Sequence, residues 1–128
     1  MNEITPSKTS LSRAILPLIL LIGSVNARAQ FEVVTLADPV DVKAASGQVK
    51  DPNEVVIDGA HVDLLDLQTE KIIISTTTDN EGNFHFKDFG KNTYKLKIVK
   101  PGFNILQVTI RIRKHSPARA ILTLPIAT

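Results

Sequence analysis

Cysteine and tryptophan are both absent from the 128-residue chain, and its aromatic side chains are five phenylalanines and one tyrosine. The first absence removes disulfide staples, thiolate metal ligands, a cysteine nucleophile and any N-terminal cysteine for lipid attachment. Packing and strand pairing alone must then hold the domain, even in an oxidising compartment. With so few rings and none interleaved with the arginines, base stacking is not expected, and nucleic acid is not an expected partner. Histidine is sparse as well. His61, His85 and His115 are the three present, and none has the short spacing to a glutamate that a zinc peptidase needs. No serine or threonine lies in a nucleophile-elbow context. No catalytic, metal-binding or cofactor-binding residue is therefore assigned, and the chain is not expected to be an enzyme.

Long apolar runs are missing too. The run from Ala14 to Gly23 is well short of the ~20 residues that span a bilayer, and it contains Pro17. Lys8 and Arg13 precede it, and the small-residue site Ala27, Arg28, Ala29 follows. This pattern reads as a helical signal peptide over 1–29, cut between Ala29 and Gln30. The mature chain is expected to be secreted or periplasmic, with no transmembrane segment. It is long enough for one domain with a single core.

Charge is unevenly distributed. Residues 30–90 carry twelve acidic side chains and four lysines, whereas residues 91–128 carry eight basic side chains and no acid. Cross-strand pairing within one sandwich accounts for this, with acidic early strands beside basic late ones. A second reading makes Lys95, Lys97, Arg111 and Arg113 a docking face for an anionic lipid headgroup or acidic glycan.

Period-two alternation recurs after the leader, while helical spacing does not. Strands are predicted over Phe31–Leu36, Val42–Lys50, Ala60–Leu67, Lys71–Thr78, Thr93–Val99, Ile105–Ile112 and Ala118–Leu124. Val62 and Leu64 are core candidates, and Tyr94, Leu96 and Ile98 share one face. The stretch Thr78–Phe86 predicts a hairpin. Asp79 accepts backbone hydrogen bonds in its turn, Gly82 takes the positive φ, and Phe84 and Phe86 follow on one sheet face. The fold class is all-β, a two-sheet antiparallel β-sandwich of about seven strands, with a closed barrel as second choice. Residues 30–45 are expected to be a lead-in with a short strand, and 46–128 the sandwich itself.

The order and spacing of Gly47 and Val49, of Gly59, Ala60 and Val62, of Thr78, Asp79, Gly82 and Phe84, and of Tyr94, Leu96, Gly102 and Phe103 resemble the carboxypeptidase regulatory-like domain. That resemblance implies a transthyretin-like sandwich, related to collagen-adhesin B-type repeats and starch-binding-like modules. It implies fold more firmly than activity. Such domains accompany peptidase domains, bacterial surface proteins and TonB-dependent receptors. The isopeptide cross-link of the adhesin repeats is not expected, because Ala118–Leu124 holds no Asn or Asp acceptor.

The expected role is an exported, non-catalytic module that contacts another envelope or extracellular protein by an edge strand or loop. A glycan-binding module is the alternative, with Phe31 and Phe89 as stacking platforms. An accessory domain of a separately encoded receptor or peptidase is a further one. His61 and His85 are expected to face solvent, forming a ligand site only if their strands adjoin. The acidic run Asp79, Asn80, Glu81 is read as a turn in preference to a calcium loop.

Overall fold

The computed structural model describes residues 32–87, 89–90 and 92–127. The leader, its cleavage residues Ala27, Ala29 and Gln30, and Phe31 lie outside them.

Nine strands and no helix occur among the described residues. They are β1 (Val33–Thr35), β2 (Val40–Val42), β3 (Ser46–Lys50), β4 (His61–Asp66), β5 (Ile72–Thr77), β6 (Asn83–His85), β7 (Thr93–Val99), β8 (Ile105–Ile112) and β9 (Ala120–Thr123). The larger sheet runs β1-β8-β7-β4-β5 with β2 also on β8, and the smaller runs β9-β3-β6. This is the two-layer sandwich that alternation predicts. Val62, Leu64, Leu96 and Ile98 are fully buried between the layers, with Val49, Phe84, Leu106, Val108, Ile110 and Leu122 around them. Removing such aliphatic side chains from water supplies about 1.5–3 kcal/mol each, the main force closing the sandwich.

β8 shows how pattern becomes architecture. Its eight residues alternate half-buried and buried, so one side of the strand faces the core along its whole length. That length accepts two short parallel partners in turn: Val33 registers with Ile105, and Val42 with Ile112. Asp38 and Pro39 separate these partners, because proline has no N–H for the ladder. The stretch expected as a lead-in thus contributes two strands to the larger sheet, and Val42 is fully buried.

The structure corrects three details. The hairpin expected across Asp79–Gly82 does not form. β5 pairs with β4 in the larger sheet, while β6 pairs with β3 in the smaller one, so this turn carries the chain between layers. Local turn chemistry is as expected, but it fixes only the reversal and leaves the receiving sheet to the apolar faces. Phe84 and Phe86 complete the inter-layer core from the smaller sheet's side. The hairpin lies one turn earlier, between β4 and β5, where Asp66 Oδ2 accepts the Thr69 N–H at 2.8 Å and the Gln68 N–H at 3.1 Å.

Secondly, the strand predicted over Val42–Lys50 is two strands in different sheets, divided by a bend at Lys43–Ala45. Thirdly, pairing is mixed. β4, β5, β7 and β8 are antiparallel neighbours, as are β3 and β6, but β9 runs parallel to β3, and β1 and β2 run parallel to β8.

Two of the motif residues explain close approaches within the sheets. A Cβ on Gly47 would lie 2.7 Å from the Phe84 ring and 2.9 Å from the Ala120 carbonyl oxygen, so only hydrogen fits between β6 and β9. Thr78 is buried, and its Oγ1 donates to the Ile57 carbonyl at 2.7 Å while accepting the Ala60 N–H at 2.8 Å. It fastens the loop before β4 to the end of β5.

Candidate functional site

Thr93, Lys95 and Lys97 of β7 stand opposite Arg111, Thr109 and Gln107 of β8. The pleat therefore sends Lys95, Lys97 and Arg111 to the outer face of the larger sheet, and Arg113 follows just beyond β8. Two of these cations are paired. Lys95 Nζ lies 2.6 Å from Glu70 Oε2, and Arg111 Nε donates to Asp41 Oδ1 at 2.7 Å, with Nη2 to Oδ2 at 3.3 Å. The hydrogen bond from Arg111 holds the Asp41 carboxyl below the usual aspartate range. Lys97 stands across the ladder from Asp63. For Lys95 and Arg111 the polarity of the sequence is thus folded into acid-base pairs with the acidic stretch, residues 30–90.

Next to it lies a cluster that sequence spacing did not reveal. Asp63 is buried on β4, and its Oδ1 accepts the Ser75 hydroxyl from β5 and lies 2.8 Å from His61 Nε2. The residue types are those of a hydrolase triad, but the order is wrong. A nucleophile needs the imidazole between hydroxyl and carboxylate, to take the proton. Here the carboxylate is central and accepts the hydroxyl's hydrogen bond directly, with no imidazole placed to take the proton, so the arrangement does not activate Ser75. It satisfies a buried acid. His85 is exposed on β6 of the smaller sheet, so the two histidine strands do not adjoin and the conditional ligand site does not form. Among the described residues, no group of three or more His, Asp or Glu side chains is placed to hold a metal ion.

The acidic turn is closed on itself. Asp79 Oδ1 accepts the Glu81 N–H at 2.9 Å and the Asn83 N–H at 3.0 Å, which holds its carboxyl below the usual range, the Asn83 bond contributing most. Gly82 has a φ of 76°, and its added Cβ would meet the Val49 carbonyl oxygen at 2.7 Å.

The rings considered as glycan platforms divide. Phe31 lies outside the described residues. Phe89 is half-buried, edge-on to Tyr94 with centroids 5.6 Å apart and to Phe86 at 6.5 Å. It packs at the margin of the core. A small apolar cavity of about 280 Å³ is lined by Val99, Lys100, Pro101, Phe103 and Ile105.

The most distinctive surface is the rim of the larger sheet. β5 is its terminal strand, and among the described residues nothing pairs with its outer edge. Ile72, Ile73 and Ile74 are consecutive there and are 60%, 44% and 43% exposed. Ile74 registers with Leu64, which is fully buried, yet the narrower sheet does not cover Ile74. Ile73 is the extra residue of a bulge, since Leu65 pairs with Ile72 and Leu64 with Ile74. Residues 72–77 contain neither charge nor proline, two of the usual guards of an exposed edge, and the bulge at Ile73 is an irregularity along it. The β-branched run was legible in the sequence, but its place at the sheet's end was not.

One family model, described as "Carboxypeptidase regulatory-like domain", matches residues 44–125, most of the described residues. No curated protein matches the chain. Among solved structures, catechol 1,2-dioxygenase of Acinetobacter radioresistens is similar in two forms, a mutant and the wild type. Each is 12% identical and covers 75% of this chain, with TM-scores of 0.37 and 0.36. The match spans about half of the dioxygenase, 52% of its length.

Proposed function

We propose, for a chain that belongs to the carboxypeptidase regulatory-like domain family, that it is a non-catalytic β-sandwich that engages another protein chain through the open edge of its larger sheet. One observation carries this: β5 ends the sheet with unpaired backbone groups and three exposed isoleucines in succession. An added strand would satisfy those groups and cover the isoleucines, as in recognition by β-augmentation. The sandwich supplies a rigid frame, so the edge is held extended before a partner arrives and less ordering entropy is lost on binding. The leader pattern in residues 1–29 supports placing this encounter in the periplasm or outside the cell.

The test is retention of envelope proteins by the immobilised full chain, compared with two single variants. Ile74→Lys puts a charge on the β5 edge. Ile121→Lys does the same on β9, where Ile121 is 54% exposed at the end of the smaller sheet. Retention should fall at least about tenfold with the first and be unchanged with the second. Retention indifferent to Ile74→Lys would overturn the reading.

A further inference from the structure

We infer that the occupant of the β5 edge is a second copy of this chain, docked antiparallel about a two-fold axis through Ser75; the inference rests on reading β5 as the contact surface. The backbone fixes which groups are available. The Thr78 N–H donates to the Ala60 carbonyl, and the Thr78 carbonyl accepts the Gly59 N–H, so both backbone groups of Thr78 point towards β4. Alternation along an antiparallel strand then turns Thr76 and Ile74 the same way, and turns Thr77 and Ser75 towards the open edge. Ser75 facing its own copy forms a reciprocal hydrogen-bonded pair at the dyad. Ile73, the bulge residue, lies near Thr77 of the second copy on each side without a regular ladder pair.

Charge selects the direction. β5 is uncharged from Ile72 to Thr77, but Lys71 precedes it and Asp79 follows. Both are exposed. Parallel docking would set lysine beside lysine and aspartate beside aspartate. Antiparallel docking centred on Ser75 brings the Lys71 end of each copy to the Asp79 end of the other, twice, with the bulge at Ile73 displacing the register by about one residue. Glu70, the other acid near the first end, is already engaged by Lys95 at 2.6 Å. The same register covers isoleucines of both copies, and an isologous contact closes after two copies, so it does not propagate into fibres.

The chain lacks cysteine, so a single introduced thiol reports on the dyad directly. The full chain carrying Ser75→Cys should oxidise to a disulfide-linked dimer, because residues facing each other in a ladder have Cα atoms about 4.5–5.5 Å apart. Thr77→Cys should not, since the two copies of that residue are four steps apart, about 13 Å. The double variant Ile73→Cys/Thr77→Cys should cross-link, and it probes the same register if loss of the Ser75 hydroxyl at Asp63 disturbs folding. A strand-sized contact is small, so sedimentation equilibrium should run to about 500 µM chain. There the unmodified chain should dimerise and Ile74→Lys should weaken association at least about tenfold.

A monomer at every concentration with no Ser75 or Ile73/Thr77 cross-link would overturn the second-copy proposal while leaving the edge open to a different protein. A dimer insensitive to Ile74→Lys would also overturn it, by placing association elsewhere. Failure of the edge reading itself is distinguishable, because envelope-protein retention would then ignore Ile74→Lys as well.

Discussion

Thr78 concentrates more of the fold's specificity than its size suggests. Its hydroxyl serves two backbone groups of the loop before β4 in a buried setting, Ile57 as acceptor and Ala60 as donor. Thr78→Val keeps the volume and removes both bonds, at about 1–3 kcal/mol for each buried group left unpaired. Urea denaturation should show the midpoint falling with an unchanged slope; a shift of less than about 0.5 kcal/mol would mean that water replaces the hydroxyl. Single residues also show what the sequence discloses. Alternation identifies Val62, Leu64, Leu96, Ile98 and Phe84 as core, because burial in a strand follows a period that the chain itself carries. Asp63 defeats that logic. It lies on the outward parity of β4 and is nevertheless buried, since its cover comes from neighbouring strands that no local window contains.

At the scale of elements, two short acidic turns do much of the local ordering. The Thr69 N–H is the main cause that lowers the Asp66 carboxyl in the β4–β5 hairpin, and the Asn83 N–H does the same for Asp79 between the sheets. A carboxyl whose value is lower when folded stabilises the fold above its unfolded value, and that contribution is lost as pH falls through the folded one. The thermal midpoint should therefore be flat near neutrality and fall below about pH 4. Asp79→Asn, which keeps an acceptor without the charge, should flatten that fall; a variant tracking the unmodified chain at every pH would contradict it. The same turns mark the limit of what was legible. Asp79, Gly82 and Phe84 announce a reversal and a following strand, and both exist. Which sheet receives that strand depends on where Phe84 and Phe86 find their core, and that is a long-range matter. The parallel pairings of β1, β2 and β9, and the terminal place of β5, escaped the sequence for the same reason.

As a whole, the molecule is built from remote pairings. β1 and β2 lie on β8 some seventy residues later, and Gly47 of β3 registers with Ala120 of β9. Closing such loops before contacts form makes folding slow, in the range of about milliseconds to seconds. Stopped-flow refolding should give that range, with the same rate with or without reductant because there is no thiol; a microsecond phase carrying the full amplitude would contradict it. The candidate site itself is a property of this scale, since an unequal number of strands in the two layers is what leaves β5 uncovered. The position of β9 has a consequence during synthesis. It covers β3 and brings the fully buried Leu122 and Leu124, so a nascent polypeptide still attached to the ribosome near residue 120 lacks its final wedge. A chain truncated before residue 120 should therefore leave one edge of β3 open and part of the core unfilled.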